Sequence, residues 1–534
     1  MNWLLDQFLG NKIERETERY LSQLAISPTL ASHRNATELI QRFKADPGPT
    51  VTLGETPWGE PVTVPLDELV RAYGLVTGGT GSGKSMFALG ILNALIEAAP
   101  YAAGTGFGVL DAKGDLFQGT LFLLEQRLKH LARLDPPAAE ELRRRIVIYD
   151  FSSRDPISSY NILARWPGAE PDFFASSRAD LLLDLLEGGD GLSLSGTAVL
   201  QKLLLLLSEF NLPVTSLDDV LHDEGLRGRL LARCRNGSVA AYFARQFPTV
   251  PKPTLAAIER RLEALFASEG VRLALAGNTA PDFRQLQDEG QIVLINCFGE
   301  SIARSVRRLL QALVISDIRQ SVFARSEKES PFLWLCDEAQ NFFSTAKLRE
   351  NMSDLLTMSR SFGTHFLYLT QNISTAVQDP RMLSILHTNI RWAFAMRGEP
   401  SDCAFLKSAL PVTGRKARPQ TNPFAEKTFY TVAEERALAL DEVANLPNRV
   451  GYLWFKTHSA EAFKIKTQEL AIPHARELEL ATRSIRRDPS VGRRFSRKEY
   501  GRLIAERDRE WREEEGDLGA SLEQAYQRMR GAAV

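Results

Sequence analysis

The sequence predicts an α/β protein whose mainly parallel sheet is interrupted by an all-helical domain. Short apolar runs typical of strands alternate with helical patterns along most of the chain, which favours a parallel sheet covered by helices. Between about residues 171 and 290 the strand-like runs stop, and Leu- and Ala-rich helical segments replace them. These two observations predict the fold class, with polar helical extensions at both ends of the chain.

The same pattern divides the chain into consecutive parts. Two prolines between Asp46 and Pro49 end a first helical region, because proline does not continue a helix. The predicted parts are an N-terminal helical region (1–50), the first part of the α/β core (51–170), the helical insertion (171–290), the second part of the core (291–475) and a charged helical C-terminal tail (476–534).

Length and composition indicate a folded protein of several domains. The chain has 534 residues, of which 44% are hydrophobic and 25% charged, the balance of a globular protein. Lys and Arg number 65 and Asp and Glu number 66, so an attraction to nucleic acid has to come from a local basic patch.

The sequence predicts a cytoplasmic protein without a membrane span. The four cysteines lie far apart and form no CxxC pair, which excludes a recognisable zinc site or disulfide framework and favours a reducing compartment. The most apolar stretch, from Ala198, is too short for a bilayer and contains Gln201 and Lys202. Peripheral contact with the inner membrane stays open through an N-terminal amphipathic cluster, although packing on its own domain is the alternative for these residues: Trp3, Leu4, Leu5, Phe8 and Leu9.

Strands are predicted in order along the core. Two alternating runs after Val51 indicate a hairpin, and LVT (75–77) then leads through a glycine-rich loop into an apolar helix. Further strand-like runs are FGVLDA from Phe107, RIVIYDF from Arg145, QIVLINC from Gln291, FLWLCDE from Phe332, THFLYLTQ from Thr364 and VGYLWF from Val450.

The glycine-rich loop matches the Walker A pattern in full. Its residues are Gly78, Gly79, Thr80, Gly81, Ser82, Gly83, Lys84 and Ser85. Such a loop closes its backbone N–H groups around phosphate oxygens, while Lys84 pairs with the β- and γ-phosphates and the Ser85 hydroxyl binds Mg²⁺. A flexible glycine turn is the alternative, but the preceding strand and following helix disfavour it. The sequence therefore predicts ATP and Mg²⁺, and the absence of a downstream NKxD motif favours ATP over GTP.

A second motif predicts the hydrolytic chemistry. The apolar run FLWLC ends in Asp337 and Glu338, the Walker B form, in which the first carboxylate holds the magnesium shell and the second polarises water. A strand end that merely meets solvent would also carry two carboxylates. Because the carboxyl ends of parallel strands open on a common crevice, we expect this pair to face the Walker A loop.

Two further residues are candidates for the same chemistry. Gln371 ends the strand THFLYLTQ, where its amide suits a γ-phosphate sensor, although a strand-capping glutamine is the alternative. Arg360, near the end of the preceding helix, suits an arginine finger that reaches a neighbouring subunit, although a surface arginine near a helix C-terminus explains it equally.

Five blocks in a fixed order resemble the HerA/FtsK superfamily of hexameric translocating ATPases. The blocks, spread over about residues 50–475, are GLVTGGTGSGKS, VLDAKGDL, YDFSSRDPISSYNIL, FLWLCDEAQNF and SRSFGTHFLYLTQ. Within that superfamily the chain is most similar to the type IV coupling proteins (TraD/TraG-like), whose P-loop domain also contains an all-helical insertion. Members usually begin with transmembrane helices, and none is expected in this sequence.

The resemblance implies a RecA-like P-loop ATPase domain and a role for each motif residue. Lys84 and Ser85 would bind nucleotide and Mg²⁺, and Asp337 and Glu338 would form Walker B. Arg360 would be the trans-acting finger and Gln371 the sensor. Asp111, in VLDAKGDL, would lie beside the P-loop at the end of the second strand.

Several basic groups are candidates for holding DNA. Between Arg483 and Arg502 there are eight Lys or Arg and two acidic residues, a net charge of +6. Phosphate contacts of this kind are independent of sequence; a solvated charged helix is the alternative. The other candidates are Arg304, Arg307 and Arg308, and Arg415, Lys416 and Arg418.

Together these features predict an ATP-driven DNA translocase that acts as a ring, expected as a homohexamer. The resemblance implies that it hands DNA with bound protein to a type IV secretion or conjugation machine, with secretion-system proteins or a relaxase as partners. Two alternatives stay open. One is a HerA-like DNA-processing helicase or translocase, and the other is a secretion ATPase or recruitment platform that acts on protein.

Overall fold

A computed structural model describes residues 28–101, 105–166, 169–186, 194–326, 328–377, 379–413, 416–419 and 428–512. These residues fall into two compact units. The first contains residues up to Ala98 together with His365–Ala471, and the second contains Ala99–Thr364 together with the residues from Ile472 onwards.

The strands of the described residues are short and largely buried. They are β1 (Thr50–Glu55), β2 (Pro61–Pro65), β3 (Gly74–Thr77), β4 (Gly106–Asp111), β5 (Ile146–Asp150), β6 (Ile292–Asn296), β7 (Phe332–Cys336), β8 (Thr364–Thr370), β9 (Trp392–Met396), β10 (Val450–Phe455) and β11 (Phe463–Lys466).

Helices connect and cover these strands. They are α1 (Pro28–Lys44), α2 (Leu66–Val70), α3 (Lys84–Ala98), α4 (Asp115–Leu134), α5 (Pro136–Arg145), α6 (Pro171–Leu186), α7 (Leu194–Glu209), α8 (Leu217–His222), α9 (Glu224–Arg233), α10 (Gly237–Arg245), α11 (Lys252–Phe266), α12 (Glu269–Ala274), α13 (Phe283–Asp288), α14 (Arg304–Phe323), α15 (Ala346–Met358), α16 (Ile373–Ala376), α17 (Pro380–Asn389), α18 (Val432–Val443), α19 (Ala475–Ala481), α20 (Arg483–Arg487) and α21 (Arg497–Arg512). Short 3₁₀ turns add Val214–Ser216, Phe247–Thr249, Ala339–Phe343, Ser359–Phe362 and Pro400–Leu406.

The first unit is built on a mixed sheet. β3 lies between β8 and β9 and is parallel to both. From β9 the sheet continues through antiparallel pairs to β10, β11, β1 and β2. The predicted hairpin is the β1–β2 pair, which a turn at Gly59 closes. α3 packs against β1 with an apolar face that includes Phe87 and Ile91.

The second unit contains an all-parallel sheet in the order β7, β4, β6, β5. Every residue of β4, β6 and β7 is buried, as expected for strands covered on both faces. Gly108 in β4 lies against the Trp334 ring of β7, so a Cβ at this position would overlap that ring. The close fit of glycine and tryptophan explains why this strand carries a glycine in its middle.

The residues between β5 and β6 form the predicted helical insertion, α6 to α13, with no strand among those that the structure describes. α6 packs against α7 and against α14 of the core. α19, α20 and α21 belong to this second unit too, so the described part of the charged tail packs on the core and the insertion. Among the helices in the described ranges, none is both long and apolar enough to cross a bilayer.

The predicted fold class is confirmed: strands and helices alternate, the sheets carry parallel pairs at their centre, and a helical insertion interrupts the core. Two strands were missed. β9 is a run of five residues between Arg391 and Arg397, and β11 is a strand of only four residues. β9 pairs with β3, which is distant in sequence, and local patterns carry little signal for such pairing. β11 forms a hairpin with β10, but its four residues are too few for a clear alternating pattern. The amphipathic cluster from Trp3 to Leu9 lies outside the described residues.

Candidate functional site

The glycine-rich loop joins buried strand β3 to the start of α3, the order that a phosphate-binding loop requires. Gly81 and Gly83 have φ angles of 73° and 110°, in the left-handed region that favours glycine. At Gly83 a Cβ would also come within 3.0 Å of Met396 and 3.1 Å of Arg449. The loop shape therefore depends on these two glycines.

Lys84 folds back over this loop. Its Nζ donates hydrogen bonds to the Gly78 carbonyl at 2.6 Å and to the Gly79 carbonyl at 3.0 Å, and the side chain is only 7% exposed. The Gly79 N–H donates to the Arg397 carbonyl at 2.6 Å. A positive charge thus lies across the loop, next to backbone groups at a helix N-terminus, where a phosphate anion is stabilised.

Gln371 is in direct contact with the loop. The Thr80 hydroxyl donates a hydrogen bond of 2.8 Å to the Gln371 Oε1. Gln371 follows β8 and Thr80 follows β3, and these two strands are parallel neighbours, so the contact is a consequence of the sheet order. Ser85, the second residue of α3, is half-buried. The first unit therefore brings Lys84, Ser85, Thr80 and Gln371 to one sheet edge.

In the second unit, Asp111 ends β4 with its carboxylate fully buried. It accepts backbone hydrogen bonds from Lys113 (2.8 Å), Gly114 (3.0 Å) and Phe117 (2.8 Å). Burial nevertheless raises the pKa of Asp111 above its ordinary value, and these backbone donors act against that shift. Asp111 thus anchors the turn that leads into α4.

Asp337 follows β7, the neighbour of β4. Burial, reinforced by the charge of Asp111, raises the pKa of the Asp337 carboxyl from 3.8 to about 7. Its backbone N–H donates to the Leu110 carbonyl at 3.0 Å. Two buried carboxylates of like charge at one sheet edge are costly unless a cation or protons neutralise them.

Glu338 adopts a left-handed backbone conformation with φ of 51°. Its carboxylate forms an ion pair with Lys113 and accepts a hydrogen bond from the Gln340 amide. Gln311 of α14 steadies the same turn, since its Nε2 donates to the Asp337 carbonyl at 3.4 Å and its Oε1 accepts from Asn341 at 2.9 Å. The second unit therefore brings Asp111, Asp337 and Glu338 together at the ends of β4 and β7.

Arg360 lies in the 3₁₀ turn Ser359–Phe362 and is exposed. Within the described residues, no hydrogen bond or ion pair of its guanidinium joins it to Asp111, Asp337 or Glu338. Its side chain is thus exposed to solvent. This position is compatible with an arginine finger that reaches another subunit and with an ordinary surface arginine.

The basic run at residues 483–502 is largely part of the folded unit. Arg494 is 7% exposed and donates to the carbonyls of Ile485, Arg486, Asp488 and Val491 at 2.7 to 3.0 Å. Arg486, Arg493 and Arg497 contact Gln118, Glu289 and Glu269. The exposed basic residues of the run that make no such contact are Arg483, Arg487, Lys498 and Arg502.

The other basic candidates differ in exposure. Arg304 is exposed at the start of α14, while Arg307 and Arg308 are half-buried, and Arg307 lies over the Phe298 ring. Arg418 pairs with Glu434 and stacks on Tyr430. Lys416 is exposed, and Arg415 lies outside the described residues.

Two residues at these sites were missed in the sequence. Lys113 stands two positions after Asp111 in the block VLDAKGDL, so its position in that block was an available signal. No local sequence pattern marks Arg449. It lies near the loop because β10, which it precedes, pairs with β9, and β9 pairs with β3. Its backbone has φ of 65°, and its N–H donates to the Ser82 carbonyl at 2.8 Å.

Comparisons with known proteins identify the fold. No family model matches the chain, and no curated protein matches it. Among solved structures, the plasmid coupling protein TrwB in complex with ADP and Mg²⁺ is 15% identical with a TM-score of 0.50, over 85% of this chain and 95% of that one. VirB4 of Thermoanaerobacter pseudethanolicus is 13% identical with a TM-score of 0.50, over 80% and 98%.

These likenesses show that the chain has the fold of TrwB and VirB4. They confirm, at the level of the fold, the resemblance to the coupling-protein group that the motifs indicated.

Proposed function

We propose that this chain is an ATPase that couples ATP hydrolysis to the movement of DNA in a type IV secretion or conjugation system. The observation that carries the proposal is the loop between β3 and α3, across which the Lys84 ammonium lies and donates hydrogen bonds to the carbonyl oxygens of Gly78 and Gly79. A triphosphate on this loop would replace those carbonyls as the partner of Lys84 and would gain the N–H groups at the start of α3.

Two of the residues that the motifs predict suit Mg²⁺ as the cofactor. The Ser85 hydroxyl and the Asp337 carboxylate each offer an oxygen ligand of the kind that this hard cation prefers. The raised pKa of Asp337 also fits, because a buried carboxyl whose charge is uncompensated gains most from a nearby cation. Bound Mg²⁺ would neutralise charge on the transferred phosphate.

Glu338 is the residue proposed to act on the attacking water. Its carboxylate pairs with Lys113 and is less buried than Asp337, which leaves it open to a water molecule. Gln371 contacts Thr80 of the loop and is therefore placed to respond to a γ-phosphate there.

DNA is the proposed cargo, and the ring is the proposed assembly. Support comes from the fold shared with a plasmid coupling protein and from exposed basic residues, of which Arg304, Lys498 and Arg502 are examples. The described residues before Arg512 carry no sequence-reading motif, which suits contacts to the phosphate backbone alone.

The test measures ATP hydrolysis with and without single- and double-stranded DNA. We expect DNA to stimulate turnover in the wild-type protein, and Lys84→Ala and Glu338→Gln each to lower it by about 10²-fold or more. Glu338→Gln should still bind ATP, since the substitution keeps the shape of the side chain. If no form of DNA changes the rate of ATP hydrolysis, the proposed DNA movement is overturned. A protein-recruiting ATPase would then be the remaining function.

A further inference from the structure

A cavity of about 260 Å³ lies in the first unit, beside the helix that follows the loop. One wall is a face of α3 that includes Met86 and Gly90, and the other is formed by β1 and by the segment after β11, including Leu53, Thr467 and Gln468. No part of the phosphate-binding chemistry described above uses this cavity.

The cavity wall contains a buried hydroxyl without a partner. Thr467 is 3% exposed, and its Oγ1 makes no hydrogen bond. Leaving a buried hydroxyl unsatisfied costs about 1–3 kcal/mol, so such groups call for an explanation. A ligand in the cavity that offers a donor or an acceptor would provide one.

Both walls of the cavity are linked to the glycine-rich loop, one through the chain and one through backbone hydrogen bonds. Met86 directly follows Ser85 in α3. On the opposite wall, the Thr467 N–H donates to the Arg449 carbonyl at 2.8 Å, and the Arg449 N–H donates to the Ser82 carbonyl at 2.8 Å. One residue in a strained, left-handed conformation thus connects the loop to the wall that carries the unpartnered hydroxyl.

We propose that this cavity receives the nucleoside portion of the bound nucleotide; this assignment rests on the proposed ATPase function. In a Walker A loop the lysine reaches the β- and γ-phosphates, while backbone N–H groups at the start of the helix hold the α- and β-phosphates. The ribose and base therefore continue from the α-phosphate past Ser85, and the cavity begins there, at Met86.

The lining suits a purine. Leu53 and Met86 supply apolar and polarisable surface for the ring faces, and Gly90 leaves the space between them open, since no atom lies within 4 Å of an added Cβ. The Thr467 hydroxyl and the Gln468 amide supply hydrogen-bonding groups for the edge of the base. Thr467 and Gln468 are thus the residues assigned to base recognition.

The experiment compares Mg·ATP with inorganic tripolyphosphate, which carries the phosphates but no nucleoside. Binding to the full chain is measured by calorimetry. Gly90→Leu fills the cavity and should weaken ATP binding about tenfold or more, while tripolyphosphate binding changes by less than about twofold. Thr467→Val removes the hydroxyl and keeps the shape of the side chain. It should weaken ATP binding by about three- to tenfold and leave tripolyphosphate binding unaffected.

Gly501→Leu is the matched control, because Gly501 is another helical glycine with open space at its Cβ and lies in α21 of the second unit. This variant should bind both ligands with wild-type affinity. If Gly90→Leu weakens the binding of ATP and of tripolyphosphate equally, or weakens neither, the nucleoside assignment is overturned. The proposed ATPase function is not affected by either result. A wild-type protein that binds neither ligand would overturn the proposed function and this assignment with it.

Discussion

Single residues in rare backbone conformations mark both candidate sites. Among the described residues, Glu338 and Arg449 have φ angles of 51° and 65°, which cost energy in a residue with a side chain. At Glu338 this conformation turns the chain after β7, where the carboxylate pairs with Lys113. At Arg449 it lets one peptide segment bind both Ser82 and Thr467. Two of the four non-glycine residues with positive φ in the described ranges thus lie at the candidate sites.

Asp337→Asn is predicted to stabilise the nucleotide-free protein at alkaline pH. The folded-state pKa of about 7 lies above the ordinary value of 3.8, so the native state holds the proton more tightly than the unfolded state. The stability of the wild-type protein therefore falls as pH rises from about 4 through 7, by about 4 kcal/mol at most. Asparagine carries no charge to bury.

Thermal unfolding in EDTA at pH 5 and pH 8 checks this prediction. The variant should melt higher than the wild type at pH 8, and by less at pH 5. A difference in melting temperature that is the same at both pH values, or a variant that melts lower at pH 8, would contradict it.

At the scale of elements, the segment from α19 to α21 is held by specific contacts to the second unit. Glu125 of α4 accepts the Ile485 N–H, and Ile157 exchanges backbone hydrogen bonds with Phe495 at 2.7 and 2.9 Å. Tyr500 donates to the Leu273 carbonyl. A high local charge therefore does not make this segment an independent tail, because backbone pairing and buried side chains attach it.

Arg494→Met is predicted to destabilise this attachment. The guanidinium satisfies four carbonyl groups from a buried position, and burial lowers its pKa to about 10. Its loss removes these four hydrogen bonds from a buried site, at a cost of about 2–4 kcal/mol. Hydrogen exchange of the amides between Ile485 and Tyr500 should become faster.

Arg487→Met is the matched control, because Arg487 is exposed in the same segment. The free energy of unfolding of this variant should stay within about 0.5 kcal/mol of the wild-type value. Similar hydrogen exchange in the two variants would show that the Arg494 hydrogen bonds do not hold the segment.

At the scale of the whole molecule, the proposed ring gives the exposed Arg360 a role in the nucleotide site of a neighbouring subunit. Arginine fingers that act between chains stabilise the charge of the transferred phosphate and leave nucleotide binding nearly unchanged. A residue of this kind needs an exposed side chain, and Arg360 has one.

Arg360→Ala is therefore predicted to bind ATP with nearly wild-type affinity and to lose about 10³-fold in turnover. Mixing it with Lys84→Ala subunits, which retain Arg360 and cannot hold nucleotide, should restore part of the activity. Titrating one variant into the other while ATP hydrolysis is followed gives the measurement. If mixtures are no more active than the separate variants, Arg360 acts within its own subunit or only as a surface residue.

The sequence by itself determined the elements whose signal is local. The loop from Gly78 to Ser85, the carboxylates that end β7 and the helical insertion all depend on residue spacing within a few turns or strands, and spacing is visible in the chain. Gln371 was proposed from its position at the end of an apolar strand, and Asp111 from the resemblance carried by the block VLDAKGDL.

Only the tertiary structure decided what depends on partners distant in sequence. The hydrogen bond from the Arg449 N–H to the Ser82 carbonyl joins the residue before β10 to the loop, the burial of Asp337 beside Asp111 raises its pKa, and buried Arg494 removes charge from an apparent basic patch. Burial and long-range contact set desolvation and hydrogen bonding, and a chain's local pattern does not specify which residues share a buried surface.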